Sequence, residues 1–437
     1  MLFFIFSRMI STEELYLIYK ECSEVTTDSR KIEKDSLFIA LKGDNFNGNK
    51  FAEEALAKGA AYAVVDEAEY KTSDRILLAE DGLKALQDLA LYHRRNLKTP
   101  LISLTGSNGK TTTKELVHAV ISKKFRAIAT RGNFNNHIGV PLTLLRLQED
   151  TEIGIVEMGA NHQKEIAFLC SLAEPDYGFI TNYGKAHLEG FGGVQGVIKG
   201  KSELYDYLVK NHKMVFFNSD DPIQTEKLKN YESKVSFGSN PNSLFHVMVA
   251  EENQSDFLAI KFKEKTIHTH LTGTYNLTNA AYALLIGKHF EVPETDILEA
   301  IANYIPKNNR SQLLEKGSNR IILDAYNANP SSMTAALENL KRSKGKHKVA
   351  ILGDMFELGD DAKEEHQNIA ALAASLPNTT TYLVGNHFFE VETTLPKFKD
   401  FETFKDYFIN NLPKNSTLLI KGSRGMALER ILEVFES

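Results

Sequence analysis

The chain has 437 residues, and its 51 Lys and Arg against 57 Asp and Glu leave a net charge of −6. This mildly acidic balance, without a long basic run, argues against a nucleic-acid partner, because binding to a phosphate backbone usually needs a basic patch. Its two cysteines make no disulfide framework, and no apolar stretch approaches the roughly 18 residues of a membrane span. We therefore expect about three domains, located in the cytoplasm.

The chain begins with the apolar letters MLFFIF at positions 1–6. This run is too short for a signal sequence and lacks both a basic start and a small-residue cleavage site, so we expect no leader peptide. Ser11 or Thr12, followed by Glu14, is typical of a helix N-cap. Met9 is therefore an alternative start to the first residue, and the sequence leaves both open.

Residues 1–98 are predicted to form a small α/β domain. Short apolar runs at 36–41 and 62–65 favour buried strands. Between them, the letters KGDNFNGN at 42–49 are rich in turn-forming side chains. An amphipathic stretch near 82–95 predicts a helix that leads to a domain boundary at its end.

Residues 99–308 alternate strand and helix patterns and are predicted to form the central domain. The apolar runs that favour strands lie at 101–104, 153–156, 179–181 and 214–217. Antiparallel strands are expected within 245–271, followed by a helix over 275–289. Alternation of this kind predicts a mostly parallel sheet with helices on both faces, the doubly wound arrangement.

Residues 309–437 repeat the alternation. Their strand candidates lie at 321–323, 349–352, 381–384 and 417–420. This pattern predicts a C-terminal Rossmann-like α/β domain. The predicted fold class is therefore α/β with three domains, of which the central one carries the doubly wound, mostly parallel sheet.

The strongest functional signal is the segment LISLTGSNGKTTT at 101–113, in which an apolar strand enters a glycine-containing loop that opens a helix. Gly106 and Gly109 permit a tight turn whose N–H groups face an anion, and the helix N-terminus adds positive potential. Lys110 is expected to neutralise phosphate charge, and the Thr111 hydroxyl is expected to bind Mg²⁺. A leucine replaces the first glycine of GxxxxGK[ST], so we predict a shorter variant of the phosphate-binding loop.

Polar residues also follow later strands. Glu157 ends an apolar strand, where ligands of open α/β sheets usually lie, and a carboxylate there suits Mg²⁺. His187 follows the next strand as a candidate metal ligand, and Asn182 is a candidate for orienting phosphate or substrate. Spacing alone leaves a surface glutamate and a structural histidine open, and it favours a solvated helix-face position for Lys201.

The third domain contributes two further candidates. Asp324 ends an apolar strand, the usual edge for a site residue in such sheets. Asn329 and Pro330 have the pattern of a helix cap and first helical position, so this stretch is equally explained as a strand–turn–helix connection. Arg310 follows two asparagines in a hinge-like loop, from which it is a candidate to reach a nucleotide when domains close. A surface arginine is an equal alternative.

Several motifs together resemble those of the Mur ligases. They occur in family order over nearly the whole chain: TGSNGKTTTKE, EMGANH, ITNYGKAHLEGFG, GKSELY, GTYNLTNA at 273–280 and DAYNANP at 324–330. NFNNHIGVP at 133–141, YNANP at 326–330 and GDMFELG at 353–359 further resemble the member of the family that adds a dipeptide to the cell-wall precursor.

The resemblance implies an ATP-dependent ligase that activates a carboxylate as an acyl phosphate. The expected substrates are UDP-N-acetylmuramoyl-tripeptide and D-alanyl-D-alanine, and the expected cofactors are ATP and two Mg²⁺ ions. Residues 1–98 would bind the UDP-sugar-peptide, 99–308 would bind ATP, and 309–437 would close on ATP and bind the dipeptide. We expect a monomer, and lysine and diaminopimelate remain alternatives for the third residue of the tripeptide.

The resemblance also implies roles for individual residues. The expected nucleotide-binding residues are Gly106, Ser107, Asn108, Gly109, Lys110, Thr111, Thr112, Asn276, Asn279, Arg310 and Asp324. Within this set the two asparagines of the later helix would contact adenine, and the aspartate would contact the ribose. The expected metal ligands are Thr111, Glu157, His187 and a carbamylated Lys201, and the expected catalytic residues are Lys110, Glu157, His187 and Lys201. The expected residues at the UDP-sugar-peptide are Ser29, Arg30, Gly43 and Asn136.

Other readings of the motifs stay open. A sibling ligase that adds a diaminopimelate residue typically carries a DNPR motif, which this sequence lacks, and a folylpolyglutamate-type synthetase would lack the UDP-binding segment that residues 25–51 resemble. A regulatory nucleotide-binding module without catalysis is the alternative from another class, and the intact Lys110, Glu157 and Lys201 argue against it. The sequence has no NKxD motif and no kinase signature, which disfavours a GTPase or a kinase.

Overall fold

The computed structural model describes residues 8–240, 245–250, 256–307 and 309–435. The apolar start of the chain and Asn308 of the predicted hinge lie outside the described residues. The chain divides into two compact units. Unit 1 comprises Met1–Ser103, Phe125–Gly159 and Glu165–Tyr177, and unit 2 comprises Leu104–Lys124, Ala160–Lys164 and Gly178–Ser437. The domain boundaries expected at the ends of the first and second sequence segments stay a prediction.

The helices are given in chain order. They are α1 (Thr12–Tyr19), α2 (Ala52–Lys58), α3 (Gly82–Asn96), α4 (Lys110–Ile121), α5 (Gly139–Leu144), α6 (Glu165–Ala173), α7 (Leu188–Phe191), α8 (Val194–Lys210), α9 (Pro222–Leu228), α10 (Asn276–His289), α11 (Glu294–Asn303), α12 (Pro330–Arg342), α13 (Ala362–Ala374), α14 (Asn386–Phe389) and α15 (Phe401–Ile409). Within the described ranges, none of them combines the length and the apolar character that crossing a bilayer requires.

The strands are likewise given in chain order. They are β1 (Val25–Thr26), β2 (Leu37–Ile39), β3 (Lys42–Gly43), β4 (Phe46–Asn47), β5 (Tyr62–Val65), β6 (Ile76–Leu78), β7 (Leu101–Thr105), β8 (Ala127–Ala129), β9 (Ile153–Glu157), β10 (Tyr177–Ile180), β11 (Met214–Asn218), β12 (Lys234–Gly238), β13 (Phe245–Val249), β14 (Phe257–Phe262), β15 (Lys265–Thr272), β16 (Gln312–Lys316), β17 (Asn319–Asp324), β18 (His347–Gly353), β19 (Thr379–Val384), β20 (Lys397–Phe398) and β21 (Ser416–Lys421). Each strand candidate that the sequence analysis gave with its own bounds is confirmed, and its ends differ by at most two residues.

A parallel four-stranded sheet in the order β1-β2-β5-β6 forms a core of unit 1. Aromatic and β-branched residues suit its central strands, and Phe38, Val65 and Ile76 pack in one buried cluster. Gly59 follows α2 with a φ of 117°, which lets the chain turn towards β5. The predicted turn-rich loop at 42–49 contains the short antiparallel hairpin β3–β4.

The predicted N-cap of the first helix is confirmed. Ser11 accepts a hydrogen bond from the Glu14 backbone N–H at 3.2 Å, and the Glu14 carboxylate accepts one from the Ser11 N–H at 3.0 Å. This reciprocal pair satisfies N–H groups that the first turn of a helix cannot satisfy itself. Farther along α1, the buried Tyr19 hydroxyl donates to the Leu145 carbonyl at 2.7 Å, which anchors the helix within unit 1.

Strands β8 and β9 of unit 1 pair in parallel, with Ala127 opposite Ile153. Every side chain of β9 is buried, which is typical of a strand covered on both faces. The strand ends at Glu157, so the structure places a carboxylate at the carboxyl end of a buried strand, as the sequence predicted.

The central part of unit 2 carries the strands β15-β14-β13-β12-β11-β10 in that order. Strands β11, β12 and β13 pair in parallel, whereas β13, β14 and β15 pair antiparallel. This confirms the antiparallel strands predicted within 245–271, of which 251–255 lie outside the described residues. Helix α10 is buried on most of its surface and packs on α4, as expected of a helix with apolar residues around its whole axis.

A six-stranded sheet in the order β16-β17-β21-β18-β19-β20 forms the C-terminal part of unit 2. Strand β16 is antiparallel to β17, and the other neighbours are parallel. Because β21 lies between β17 and β18, the carboxyl ends of three strands meet, and Lys421 lies opposite both Asp324 and Leu352. Helices alternate with these strands along the chain, so the predicted α/β class is confirmed.

Aromatic rings form much of the core of this sheet. Phe404 and Phe408 of α15 pack against Tyr382 of β19, with ring centroids 5.7 and 5.8 Å apart. Both phenylalanines are fully buried, whereas Ile409 at the end of the same helix is exposed. The buried rings therefore supply much of the apolar area that holds α15 on the sheet.

We expect Phe404→Ala to lower the free energy of unfolding of the C-terminal sheet by about 3–5 kcal/mol, because the substitution removes a buried ring and leaves a cavity. Ile409→Ala on the same helix is the control and should cost less than about 0.5 kcal/mol, because its side chain is exposed. Urea unfolding followed by circular dichroism measures both variants. Equal losses in the two variants would contradict the assigned core.

Candidate active site

The predicted phosphate-binding loop connects β7 to α4 and has a backbone that only glycine suits at two positions. Gly106 has a φ of 145°, and a Cβ there would lie 2.0 Å from Thr181 Oγ1. Gly109 has a φ of 77°, and a Cβ there would lie 2.5 Å from Asn279 Oδ1. L-residues rarely adopt such backbone angles, and a side chain would also collide with its neighbours. The predicted strand, loop and helix are confirmed.

Hydrogen bonds fix this loop against the segment that follows β10. The backbone N–H groups of Ser107 and Asn108 donate to the Asn182 carbonyl and side-chain oxygen, both at 3.1 Å. Ser107 Oγ donates to the Gly184 carbonyl at 2.7 Å, and Thr181 Oγ1 donates to the Asn108 carbonyl at 2.6 Å. Asn182, a candidate for orienting phosphate or substrate, therefore orients the loop itself in this structure.

Lys110 extends over the loop that precedes it. Its Nζ donates to the Gly106 carbonyl at 2.7 Å and to the Ser107 carbonyl at 3.3 Å. Thr111 and Thr112 follow in the first turn of α4, and both are buried. An ammonium group together with the N–H groups of a helix start gives the loop a positive potential, so its residues fit a phosphate group.

The two asparagines predicted to contact adenine form a buried chain of hydrogen bonds behind the loop. Asn276 Nδ2 donates to the Thr272 carbonyl, and Asn279 Nδ2 donates to Asn276 Oδ1, both at 2.7 Å. Thr113 Oγ1 of α4 donates to Asn279 Oδ1 at 3.0 Å. In this structure the asparagines link α10 to α4, and their contact with adenine stays a prediction.

Glu157 is a buried carboxylate, 1% exposed, in unit 1. Asn135 Nδ2 donates to Glu157 Oε1 at 2.9 Å, and the Glu157 N–H donates to Thr130 Oγ1 at 3.0 Å. No local sequence pattern singled out Asn135 as a partner of this carboxylate. Its neighbour Asn136, predicted at the substrate, accepts a hydrogen bond from the Gly139 N–H at 2.9 Å and so supports the start of α5.

His187 occupies an unusual backbone position and contacts an acidic residue that the sequence analysis did not single out. Its φ is 54°, in the left-handed region, and it forms the N-cap position of the short helix α7. Its Nδ1 lies against the carboxylate of Glu357, and this contact with His187 holds the pKa of Glu357 below its ordinary value. The structure thus pairs a residue of the motif GDMFELG with the predicted metal ligand.

Lys201 is fully buried on α8, so the solvated helix-face position favoured by its spacing is wrong. Its Nζ donates to the Ala160 carbonyl at 3.0 Å and lies 4.9 Å from the centre of the Phe191 ring. A sequence signal did exist, because Lys201 shares a helical stripe with the buried Val197 and Leu204.

The predicted metal ligands are side chains of several kinds. Among the described residues, no three His, Cys, Asp or Glu side chains cluster as ligands for a metal ion. The Thr111 hydroxyl, the Glu157 carboxylate and phosphate oxygens are the oxygen donors that Mg²⁺ prefers. A carbamate on Lys201 would be an oxygen donor of the same kind, so each of these ligands suits Mg²⁺ by its chemistry, and their assembly into one site stays a prediction.

Both carboxylate oxygens of Asp324 accept hydrogen bonds. Lys421 Nζ donates to one oxygen at 2.6 Å, and the Ser311 N–H donates to the other at 3.0 Å. The guanidinium group of Arg310 stacks on the Tyr326 ring at 3.6 Å, so this arginine packs on an aromatic face. The predicted contacts of Arg310 and Asp324 with nucleotide stay predictions.

The turn that follows Asp324 reaches the phosphate-binding loop. Asn329 Nδ2 donates to Asn108 Oδ1 at 2.8 Å. Close by, the Lys185 N–H donates to Ser331 Oγ at 2.9 Å, and Lys185 Nζ pairs with Glu365 at 2.5 Å, which raises the pKa of Lys185. The C-terminal sheet and the loop are therefore joined by direct side-chain contacts within unit 2.

The candidates for binding the UDP-sugar-peptide lie on the surface of unit 1. Arg30 donates to both carboxylate oxygens of Asp28, at 2.8 and 3.0 Å, and this lowers the pKa of Asp28 to about 2. The Ser29 carbonyl accepts a hydrogen bond from Lys58 Nζ at 2.9 Å. Gly43 is exposed, and a Cβ built there meets nothing within 4 Å.

A glycine loop lies between β7 and α4 and is joined to a buried helix and to the C-terminal sheet. This arrangement is typical of a phosphate-loop protein of the α/β class. Three family models match this chain: "Mur ligase family, catalytic domain" at residues 21–94, "Mur ligase middle domain" at 104–287, and "Mur ligase, glutamate ligase domain" at 309–424. The chain belongs to the Mur ligase family, which confirms the resemblance seen in its motifs.

Relatives match over nearly the full chain. The chain is 34% identical to the UDP-N-acetylmuramoyl-tripeptide–D-alanyl-D-alanine ligase of Bacillus subtilis (strain 168), over 94% of this chain and 92% of the relative. It is 32% identical to the enzyme of the same name from Escherichia coli (strain K12), over 94% of this chain and 93% of the relative.

Solved structures agree in fold. A crystal structure of MurF from Acinetobacter baumannii is 29% identical, covers 98% of this chain and 99% of its own, and has a TM-score of 0.84. The MurF ligase from Thermotoga maritima in complex with ADP is 27% identical, covers 96% and 98%, and has a TM-score of 0.82. The likeness confirms the predicted three-domain α/β fold class.

Gly109→Ala is expected to weaken ADP binding at least about tenfold, because the added methyl group meets Asn279 and the residue must keep a positive φ. Gly132→Ala is the matched control, since Gly132 also has a positive φ of 52° but has nothing within 4 Å of a Cβ. Titration calorimetry measures both. Unchanged binding in the Gly109 variant would refute the assignment of the loop to phosphate.

Asn329→Ser should weaken ATP binding about three- to tenfold, because serine still caps α12 but is too short to reach Asn108. The midpoint of thermal unfolding should stay close to that of the parent protein. Asn329→Ala removes the cap as well and should cost about 1 kcal/mol more in stability. If the serine variant bound ATP as tightly as the parent, the contact with the loop would have no role in nucleotide binding.

Proposed function

We propose that this chain is an ATP-dependent ligase that joins D-alanyl-D-alanine to UDP-N-acetylmuramoyl-tripeptide through an acyl phosphate. The product is the UDP-linked pentapeptide precursor of peptidoglycan. The observation that carries the proposal is the glycine loop with Lys110 extended over it, in a chain similar along nearly its whole length to ligases of that name. An ADP complex of a similar ligase supports the use of ATP.

In the first step, the terminal carboxylate of the tripeptide attacks the γ-phosphorus of ATP. A new O–P bond forms while the bond between that phosphorus and the bridging oxygen of ADP breaks. Both reactants are anionic, so the step needs fixed positive charge at the phosphates. The Lys110 ammonium and the N-terminus of α4 provide this charge, and Lys110 is held over the loop before ATP binds.

Thr111, Glu157, His187 and a carbamate on Lys201 are the residues that hold Mg²⁺ in this proposal. When bound, Mg²⁺ withdraws charge from phosphate and carboxylate oxygens and so reduces their repulsion. The full burial of Lys201 supports its assignment, because a carbamate replaces a buried ammonium group with oxygen donors. His187 acts here as a ligand and not as a general base.

In the second step, the amine of D-alanyl-D-alanine attacks the acyl carbon, and the tetrahedral intermediate collapses to the amide and phosphate. Water would hydrolyse the acyl phosphate, so the nucleotide site must be covered during the reaction. The contacts of Asn329 with Asn108 and of Glu365 with Lys185 support a covering role for residues 309–437. In this proposal the same part of the chain binds the incoming dipeptide.

The remaining assignments follow the three segments of the chain. Residues 1–98 bind the UDP-sugar end, with Ser29, Arg30 and Gly43 as surface contacts, and residues 99–308 bind ATP. A chain with only two cysteines has no disulfide framework, and this composition supports a cytoplasmic location. The protein is expected to act as a monomer, since each segment has a role within a single chain.

Phosphate release from ATP should require UDP-N-acetylmuramoyl-tripeptide and D-alanyl-D-alanine together, because the amine consumes the acyl phosphate. Coupled phosphate assays with each substrate alone and with both measure this. Tripeptides that carry lysine or diaminopimelate at the third position should be compared in parallel. Release that needs UDP-dipeptide and a single amino acid would favour a sibling ligase, and release without either substrate would refute the proposal.

Lys110→Met should lower phosphate release by at least about a thousandfold, because the variant keeps the chain length but removes the charge at the phosphates. Lys123→Met is the matched control, since Lys123 follows the same helix and pairs with Glu299 at 3.3 Å on the surface. The control should keep near-normal activity. Equal activity of the two variants would exclude Lys110 from catalysis.

A further inference from the structure

A loop of the C-terminal sheet docks on the turn that carries His187. The Glu357 carboxylate lies against His187 Nδ1, and this nitrogen is shielded from solvent. The Glu189 N–H donates to the Glu357 carbonyl at 3.2 Å. Gly359 approaches so closely that a Cβ there would lie 3.2 Å from Glu189 Cβ. The side-chain contact of Glu357 and the backbone contacts of this loop therefore lie together at the turn that carries His187.

Glu357 is held by a well-anchored loop. The N–H of Met355 donates to His366 Nε2 at 3.0 Å, and the N–H of Phe356 donates to Ser423 Oγ at 2.9 Å. Glu357 itself has a φ of 62°, and His187 has a φ of 54°. A left-handed backbone is strained at a non-glycine residue, and such positions persist where surrounding contacts enforce them. The two strained residues face each other.

The position of the Glu357 carboxylate beside Nδ1 bears on which nitrogen of the imidazole carries the proton. A neutral imidazole has one N–H and one nitrogen with a free lone pair, and the hydrogen bond made by one nitrogen sets the state of the other. A carboxylate beside Nδ1 favours the form in which Nδ1 carries the hydrogen and Nε2 keeps the lone pair. In water the opposite form of neutral imidazole predominates, so Glu357 would reverse the intrinsic preference of His187.

We infer that Glu357 is a positioning residue that fixes His187 in the Nδ1–H form, so that Nε2 is available as a ligand for a divalent cation. The inference rests on the proposed function for the identity of that cation, Mg²⁺. A carboxylate that orients a ligating histidine commonly raises metal affinity 10- to 100-fold. Glu357 lies in the loop that follows strand β18, so the contact of this loop with the turn at His187 also prepares the cation ligand.

The competing explanation is that Glu357 only docks the loop. A matched contact tests this, because Glu365 pairs with Lys185, two residues before His187, at 2.5 Å. Both pairs join the C-terminal sheet to the same segment, yet only Glu357 contacts the imidazole. A docking role predicts similar effects from removing either carboxylate, whereas a positioning role predicts an effect on the histidine from Glu357 alone.

The first test reads the form of the imidazole directly in the full chain, without metal or nucleotide. Long-range proton–nitrogen spectra of ¹⁵N-histidine protein, recorded about two units above the ordinary imidazole pKa, distinguish the two neutral forms. The His187→Gln spectrum assigns the signal among the 13 histidines. We expect the Nδ1–H form in the parent protein, Glu357→Gln and Glu365→Ala, and the Nε2–H form in Glu357→Ala.

The second test measures Mn²⁺ affinity in the presence of a non-hydrolysable ATP analogue. Glu357→Ala should weaken Mn²⁺ binding 10- to 100-fold, as expected for loss of the group that orients a ligand. Glu357→Gln should recover most of the affinity, because its amide oxygen still accepts the Nδ1–H. Glu365→Ala should bind Mn²⁺ within about threefold of the parent protein, since Glu365 pairs with Lys185 and not with the imidazole.

An Nδ1–H signal that persists in Glu357→Ala, or equal losses of Mn²⁺ affinity in Glu357→Ala and Glu365→Ala, would overturn the inference. The imidazole spectra need no turnover and no peptide substrate. They therefore separate the inference from the proposed function, which the phosphate-release assay tests by itself. The expected spectra with no phosphate release would leave the role of Glu357 in place and refute the ligase assignment.

Discussion

The backbone path of the loop at 106–109 is the constraint on which the rest of the site depends. Gly106 passes so close to Thr181 that no side chain fits, and the loop then donates and accepts hydrogen bonds with Thr181 and Asn182. The loop therefore has its shape before a ligand arrives, and binding a phosphate requires little reorganisation. This preorganisation explains why one short segment after β10 determines so much of the site.

The C-terminal sheet is tied to that loop through a residue with two tasks. Asn329 caps α12 with its side-chain oxygen and donates its amide N–H to Asn108. Beside this turn, Lys421 and Asp324 form a largely buried ion pair across β21 and β17. A buried pair adds little net stability, but breaking it is costly, so it holds the ends of both strands in register.

The elements were predictable from local patterns, whereas the contacts of the site were not. Strands and caps depend on residues a few positions apart, which a single sequence displays. Asn108 and Asn329 are 221 residues apart in sequence, and no local rule links His187 to Glu357. The strand β12 was also missed, because only part of its residues is buried and its apolar pattern is weak. Long-range pairing therefore sets the limit of prediction here.

The burial of Lys201 is indicated by a local sequence pattern, the apolar stripe of its helix. Lys199 and Lys201 lie on the same helix, yet the first is exposed and the second is fully buried in the stripe that contains Val197 and Leu204. Burying an ammonium group costs several kcal/mol unless its surroundings compensate, and an apolar residue would stabilise the same position better. The carbamate proposed on Lys201 would give this buried nitrogen a role that a leucine at the same position could not fill.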